Sequence, residues 1–419
     1  AHHQGRGRRR GKGVRRMSIY YISSGGNDGS SGLSPESPWK TLGCIKRFVK
    51  GGDTVRLKCG DVFFGRIELP PGTGKNRTVI ESYGEGEKPQ VTRYKIAGSP
   101  EIWECAGKNI WRADMAKCRG DKSSDGSNVG FIQINGKNHG FKKFALTDLK
   151  KQWDFYSLPE GLYVYSDKNP FEYSETICIA AAGSAVMLGD NTEISGIDIY
   201  GGGSHGITGS VKNAKIIGCR IHDFGGAHLV TDKRPNIRFG NGIELWSDAQ
   251  DILIQNCKIY NIYDVAFTMQ GFPEKGGWKN VVFRNNILWN NQQSFEIWTQ
   301  DENPGSGMKD CVFENNLCLN AGYCWSYPSR PDKMNAVHLL MYALNCEYHD
   351  IAVRSNTFYN PRRSLYYSAS GKIPKDYSSD NNVIFLREGQ GIINGKFPLK
   401  EQFAAKYKKE INSEFYITK

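Results

Sequence analysis

Carboxylates, a histidine and two tryptophans recur at matching places in successive segments of the C-terminal half. These segments read Asn241-Gly-Ile-Glu-Leu-Trp246, Asp264-Val-Ala-Phe-Thr-Met-Gln270, Ser294-Phe-Glu-Ile-Trp298 and Ala336-Val-His-Leu-Leu340. Paired carboxyl groups can protonate a leaving oxygen and activate a water, and a histidine changes charge near neutral pH. Side chains alternate between the two faces of a strand. With Ile243, Leu245, Phe267, Met269, Phe295, Ile297, Val337 and Leu339 inward, one outward column holds Thr208, Glu244, Thr268, Glu296, His338 and Tyr366. Beside it runs a column of Trp246, Gln270, Trp298 and Leu340, and on the other side lie Gly242, Ala266, Ser294, Ala336 and Ser364, small enough to leave a groove. Asp264 has the same outward parity one step earlier.

Spacing then selects a reaction. Parallel strands stack about 4.8 Å apart, so Glu244 and Glu296, two rungs apart, should have Cα atoms roughly 9.6 Å apart. Leaning side chains bring such carboxyls within the ~6.5–9.5 Å of inverting glycosidases. One glutamate is expected to be the general acid and the other the base, with Glu296, nearer Trp298 and His338, as the acid. Asp264 would raise the pKa of Glu244 or serve as base itself, and a Glu244/Asp264 pair at ~5–5.5 Å would instead make a retaining enzyme. Trp246 and Trp298 are expected to stack sugar rings, with Thr268, Gln270 and Tyr366 as further substrate contacts. The rival reaction is β-elimination, with His338 as base and Lys233, Arg234 and Arg238 binding the carboxylate of a uronic-acid polymer. The two glutamates would then need a calcium ion between them; otherwise no cofactor or metal is expected. A third reading, of another class, is a non-catalytic carbohydrate-binding or structural protein that uses only the tryptophans.

These residues need a scaffold that repeats. A short motif of alternating apolar residues and a polar pair ending in Asn or Cys recurs: Ala214–Ile221, Ile252–Ile259, Val281–Leu288, Cys311–Cys318 and Ile351–Phe358, with a degenerate copy at Thr192–Ile199. Its period of about 30 to 40 residues, without helical stretches between copies, fits one coil per repeat of a parallel β-helix. Cys219, Cys257, Asn286, Asn316 and Asn356 should then stack at one buried turn position, each amide bonding to turn backbone and to its neighbours. A glycine-rich loop and a helix ending near Val49 should cap the first coil, and Phe403, Tyr407 and Ile411 share a helical face for the far end.

The opening Tyr20-Tyr-Ile-Ser-Ser-Gly-Gly-Asn-Asp, the following Gly-Leu-Ser and Pro-Trp-Lys-Thr-Leu42, and the Asn-rich coils resemble the right-handed parallel β-helix superfamily of carbohydrate-active proteins. That superfamily includes pectate-lyase-like enzymes and several glycoside hydrolase families, and the resemblance spans roughly Ile19 to Phe397. It implies the fold, and a polysaccharide or oligosaccharide as partner. Hydrolase and lyase signatures that would choose a reaction are absent, and Asn241-Gly-Ile-Glu244 is only faintly similar to a segment of alginate and chondroitin lyases.

The expected organisation is an all-β chain. It comprises a basic tail at 1–16, an N-terminal cap and first coils at 17–100, a β-rich insertion at 101–170, coils carrying the site at 171–397 and a capping helix at 398–419. The formal charge of +12 owes seven units to the tail, which reads as an expression remnant before Met17 rather than a nucleic-acid arm. The body is mildly basic, and no nucleic-acid partner is expected. Eleven cysteines, an odd number without a CxxC pair, read as buried free thiols. No apolar run approaches the roughly 18 to 20 residues of a membrane span. Secretion or surface attachment suits the substrate class, although no signal peptide is visible; monomer and trimer stay open.

Overall fold

The computed structural model describes residues 16–124, 126–229, 237–274, 276–300 and 304–418, with only the backbone of Asn138. The chain winds into a right-handed parallel β-helix. Among the described residues three parallel sheets form its walls: ten strands from Ile19–Ile22 to Ser378–Asp380, ten from Val62–Phe64 to Glu414–Thr418, and eight from Ile67–Glu68 to Ser364–Ser368.

The doubled polar residues of the repeat fold the turn between the first two walls. The first of each pair takes a left-handed conformation, as at Gly218 (φ 61°), Asn256 (57°), Asn285 (57°), Asn315 (54°) and Asn381 (54°), where Gly and Asn carry the least steric penalty. The second points inward and bonds from coil to coil. Asn286 Nδ2 donates to Asn316 Oδ1 at 3.1 Å, Asn316 Nδ2 to Asn356 Oδ1 at 3.0 Å, and Asn356 Nδ2 to Asn382 Oδ1 at 3.1 Å. The expected stack therefore exists and runs one coil further. Cys219 and Cys257 occupy its first places, buried as free thiols, and among the described residues all eleven cysteines are unpaired. Inside the tube, Phe267 and Phe295 stack at 5.5 Å, and Phe283 and Phe313 at 5.1 Å.

The helix Gly43–Phe48 closes the first coil, burying Cys44 and Ile45. At the far end the helix Lys400–Tyr407 buries Phe403 and packs Tyr407 on the core. Ile411, expected on the same face, lies beyond the helix and is 53% exposed, because the chain turns there into the strand Glu414–Thr418, which extends the second wall. No helix among the described residues is long and apolar enough to cross a membrane.

Two further sheets of five strands, mostly antiparallel, form the insertion, with a core that includes Trp103, Phe155, Leu162 and Val164. Their strands reach from Tyr94–Ala97 to Ile177–Ala181, beyond the expected 101–170 on both sides. The insertion meets the tube where Gly130 faces Gly225: a Cβ on Gly130 would lie 2.2 Å from the Gly225 carbonyl oxygen, so backbones touch where side chains would separate them.

Candidate active site

The third wall carries the site. Its strands Ile207–Gly209, Ile243–Trp246, Val265–Gly271 and Gln293–Thr299 pair in parallel, with Thr208 opposite Glu244, Glu244 opposite Thr268, and Thr268 opposite Glu296. The two glutamates thus emerge on one face, two rungs apart. Trp246, Gln270 and Trp298 form the expected neighbouring column, also in register. At a rung spacing of about 4.8 Å, two glutamates two rungs apart have backbones roughly 9.6 Å apart.

The column departs from expectation after Glu296, which pairs with Leu340, itself opposite Tyr367. His338 is fully buried inside the tube. Its Nε2–H donates to the Tyr359 carbonyl at 3.1 Å and its Nδ1 accepts from the Ser294 hydroxyl at 2.9 Å. Burial pushes its pKa down to about 3. Strict alternation fails at this corner: Val337 and Leu340 pack outside with Val265, while Leu339 joins the core and the His338 ring lies against core Phe358. Tyr366 is also interior, its hydroxyl donating to Glu410 and lying 2.8 Å from Ser379 Oγ. Ser364 pairs with Val337 instead of Ala336, and a slip of one residue turns every side chain to the opposite face. Neither the base assigned to His338 nor the substrate contact assigned to Tyr366 is available in the groove.

Glu244 and Glu296 are both buried but sit in contrasting surroundings. Each accepts a threonine hydroxyl from the preceding rung, Thr208 Oγ1 to Glu244 Oε2 at 2.8 Å and Thr268 Oγ1 to Glu296 Oε2 at 2.9 Å. Glu244 gains Gln270 Nε2 on Oε1 at 2.5 Å and His205 Nε2 near Oε2 at 3.3 Å. Glu296 has a negative neighbour instead. Burial, then the charge of Asp264 and more weakly that of Glu244, push its pKa up to about 8, against the opposing Thr268 hydroxyl and Arg330. Asp264 is itself raised, first by burial and next by Asp332, although Arg330 Nη1 lies 3.2 Å from its Oδ1. Arg330 also donates through Nε and Nη2 to both oxygens of Asp332, at 2.9 and 2.7 Å.

Above these groups opens a cleft of about 1020 Å³. Trp246 and Trp298 line it with ring centres 6.0 Å apart, and Phe272, outside the lining, lies edge-on to Trp298 at 5.6 Å. Loops make the walls: Ile237–Phe239 on one side, Ser329–Asp332 on another, and Phe144 reaching in from the insertion. Arg238 lines the cleft as expected, yet three of its N–H groups are spent on the Gly226 carbonyl (2.8 Å), the Gly130 carbonyl (2.9 Å) and Ser329 Oγ (3.2 Å). Lys233 and Arg234 lie outside the described residues.

Of the sequence candidates, the cleft thus gathers Glu244, Glu296, Asp264, Trp246, Trp298, Gln270 and Arg238, with Thr268 buried beneath it. His205, which in sequence reads either as a groove-lining or, more commonly, as a solvated loop histidine, and Arg330-Pro-Asp332, a loop that could border the groove without a specific signal, both line the cleft. Position is the further sign for His205, since it precedes Thr208 much as Asp264 precedes Thr268.

Residues 155–330 match the family model described as a right handed beta helix region, which covers the coils with both glutamates. No curated protein matches the chain. Among solved structures it is similar to the GH136 lacto-N-biosidase from Eubacterium ramulus, with 13% identity over 96% of this chain and 68% of that one, at a TM-score of 0.43. It is similar to an alginate lyase from Paenibacillus sp. str. FPU-7, with 12% identity over 89% and 97% of the two chains, at 0.43. It also resembles a Family 28 exopolygalacturonase from Yersinia enterocolitica, with 11% identity over 96% and 78%, at 0.42. Similarity at this level is one of chain path and carries nothing about the reaction.

Proposed function

We propose that the protein is a glycoside hydrolase that cleaves a polysaccharide or oligosaccharide lying in the cleft, with Glu296 as general acid and Glu244 as general base. The observation that carries this reading is the contrast between two glutamates on one wall. Glu296 keeps its proton to about pH 8, while Glu244 instead accepts hydrogen bonds from the Thr208 hydroxyl and the Gln270 amide. An acid that is still protonated at neutral pH can protonate the leaving glycosidic oxygen. A carboxylate two rungs away can take a proton from a water attacking the opposite side of the sugar carbon, which is the inverting arrangement. Asp264 is tied to Arg330, which argues against its use as a nucleophile. The aromatic rings of Trp246 and Trp298 in the cleft suit the C–H faces of sugars.

The elimination reading loses its expected base, because His338 faces the interior. A purely binding surface would use the tryptophans but has no need of two buried carboxyls, whose desolvation is costly. The test is release of reducing ends from a panel of neutral and acidic oligosaccharides. Wild-type protein should produce them without the ultraviolet absorbance of an unsaturated sugar, with activity falling as pH rises through about 8. Glu296→Gln and Glu244→Gln should each lose about 10²–10⁴-fold in kcat. Near-normal turnover in either variant, or an unsaturated product, overturns the assignment.

A further inference from the structure

The two glutamates are built on one plan. Each strand of the pair Ile207–Gly209 and Ile243–Trp246 has its counterpart in Val265–Gly271 and Gln293–Thr299, and in both pairs a threonine on the earlier rung bonds the glutamate on the later. The residue entering the earlier strand differs: His205 stands three positions before Thr208, and Asp264 four before Thr268. Their effects are opposite, since a donor stabilises a carboxylate and a second carboxylate repels it.

The state of the His205 ring follows from its contacts. Its Nδ1 accepts the backbone N–H of Asn241 at 3.1 Å, so that nitrogen carries no proton. The proton therefore sits on Nε2, which faces Glu244 Oε2 at 3.3 Å. Asn241 is itself anchored, because its Oδ1 accepts the backbone N–H of Val265 on the next rung at 3.2 Å. Phe239 packs near the ring at 5.2 Å. The charged groups around His205 are Glu244 and Asp264, with Arg330 and Asp332 behind the latter. Protonating Nδ1 would forfeit the Asn241 bond, so the backbone holds the ring as a neutral donor.

We propose, resting on the acid/base reading above, that His205 and Asp264 are counterparts on alternate rungs and that His205, through its Nε2–H, is the positioning residue that makes Glu244 the base. Asp264 does the reverse for Glu296. The division of labour between two similar glutamates is thereby set by one residue at each strand entrance.

The test is spectroscopic and needs no substrate. In protein labelled with nitrogen-15 histidine, the His205 signal, assigned by its loss in His205→Gln, should show a bare Nδ1 and a proton-bearing Nε2 at neutral pH. In protein labelled at the glutamate carboxyl carbon, with Glu244→Gln and Glu296→Gln to assign the signals, His205→Ala should make Glu244 titrate about one pH unit higher than in wild type. His205→Gln, which can still donate, should restore most of that difference, and Asp264→Asn should make Glu296 titrate about one unit lower. A protonated Nδ1, or a Glu244 titration unmoved by His205→Ala, overturns the proposal. Should His205→Ala fail to fold, the wild-type nitrogen spectrum and the His205→Gln titration decide it. Correct spectra from a protein that cleaves no sugar would overturn the hydrolase reading and leave this one standing.

Discussion

A glutamic acid that holds its proton to about pH 8 weakens the fold at neutral pH. Below the ordinary carboxyl range both the folded and the unfolded chain keep that proton. Between that range and about pH 8 the unfolded chain releases it while the folded chain does not, so this contribution to stability drains away as pH rises. Glutamine keeps the shape of the protonated acid and cannot ionise. Glu296→Gln should therefore be more stable than wild type by roughly 3 kcal/mol at pH 7 and about equal to it at pH 4, as measured by denaturant unfolding at the two pH values. The same variant is expected to lose turnover if Glu296 is the acid, so gain in stability and loss of activity should appear together. Residue identity alone carried part of this. Glu244 and Glu296 were legible as an outward pair, with Glu296 read as the acid from its nearness to Trp298 and His338; the different surroundings that Asp264 and His205 from strand entrances and Arg330 from a distant loop give them were not.

At the scale of single elements, the Asn turns explain why the repeat reads as a doubled polar residue. The first position needs a left-handed backbone and the second a side chain able to bond the coils before and after it. Asn316 makes four such bonds: it accepts from Asn286 N and Nδ2 and donates to the Phe283 carbonyl and Asn356 Oδ1. Asn316→Ala leaves these partners buried and unmet, and should cost about 2–4 kcal/mol in urea unfolding. Element register was legible wherever the loop between rungs is short, as from Glu244 to Thr268 and on to Glu296. It was lost from Glu296 to the next rung, where the chain from Ala321 to Ala336 includes two 3-10 turns, Tyr327–Ser329 and Lys333–Asn335. Sequence cannot count how many residues such a loop absorbs, and one extra residue reverses a strand. Tyr366 was misplaced by a one-residue slip in the following coil, where Ser364 meets Val337, and His338 because alternation breaks at the corner.

For the molecule as a whole, the cleft exists because three separate parts of the chain meet over one wall. Arg238 ties them together, bonding Gly226 at the tube, Gly130 in the insertion and Ser329 in the far loop, with its guanidinium over Tyr263 at 4.6 Å. Arg238→Ala should loosen the insertion, costing about 2–4 kcal/mol in urea unfolding and raising KM about 10-fold, with kcat less affected. Faster limited proteolysis within the insertion would mark the same release; unchanged stability and KM would show that the insertion is held otherwise.

The sequence by itself determined the coil, the Asn stack and the shared wall of Glu244, Thr268 and Glu296. These follow from two local rules, alternation along a strand and a turn residue repeated once per coil, which nearby residues specify. Only the tertiary structure decided which glutamate keeps its proton, which histidine meets the site and which lies in the core, and how loops wall the cleft. Those outcomes depend on burial and on charges brought together across hundreds of residues, and no local pattern encodes either.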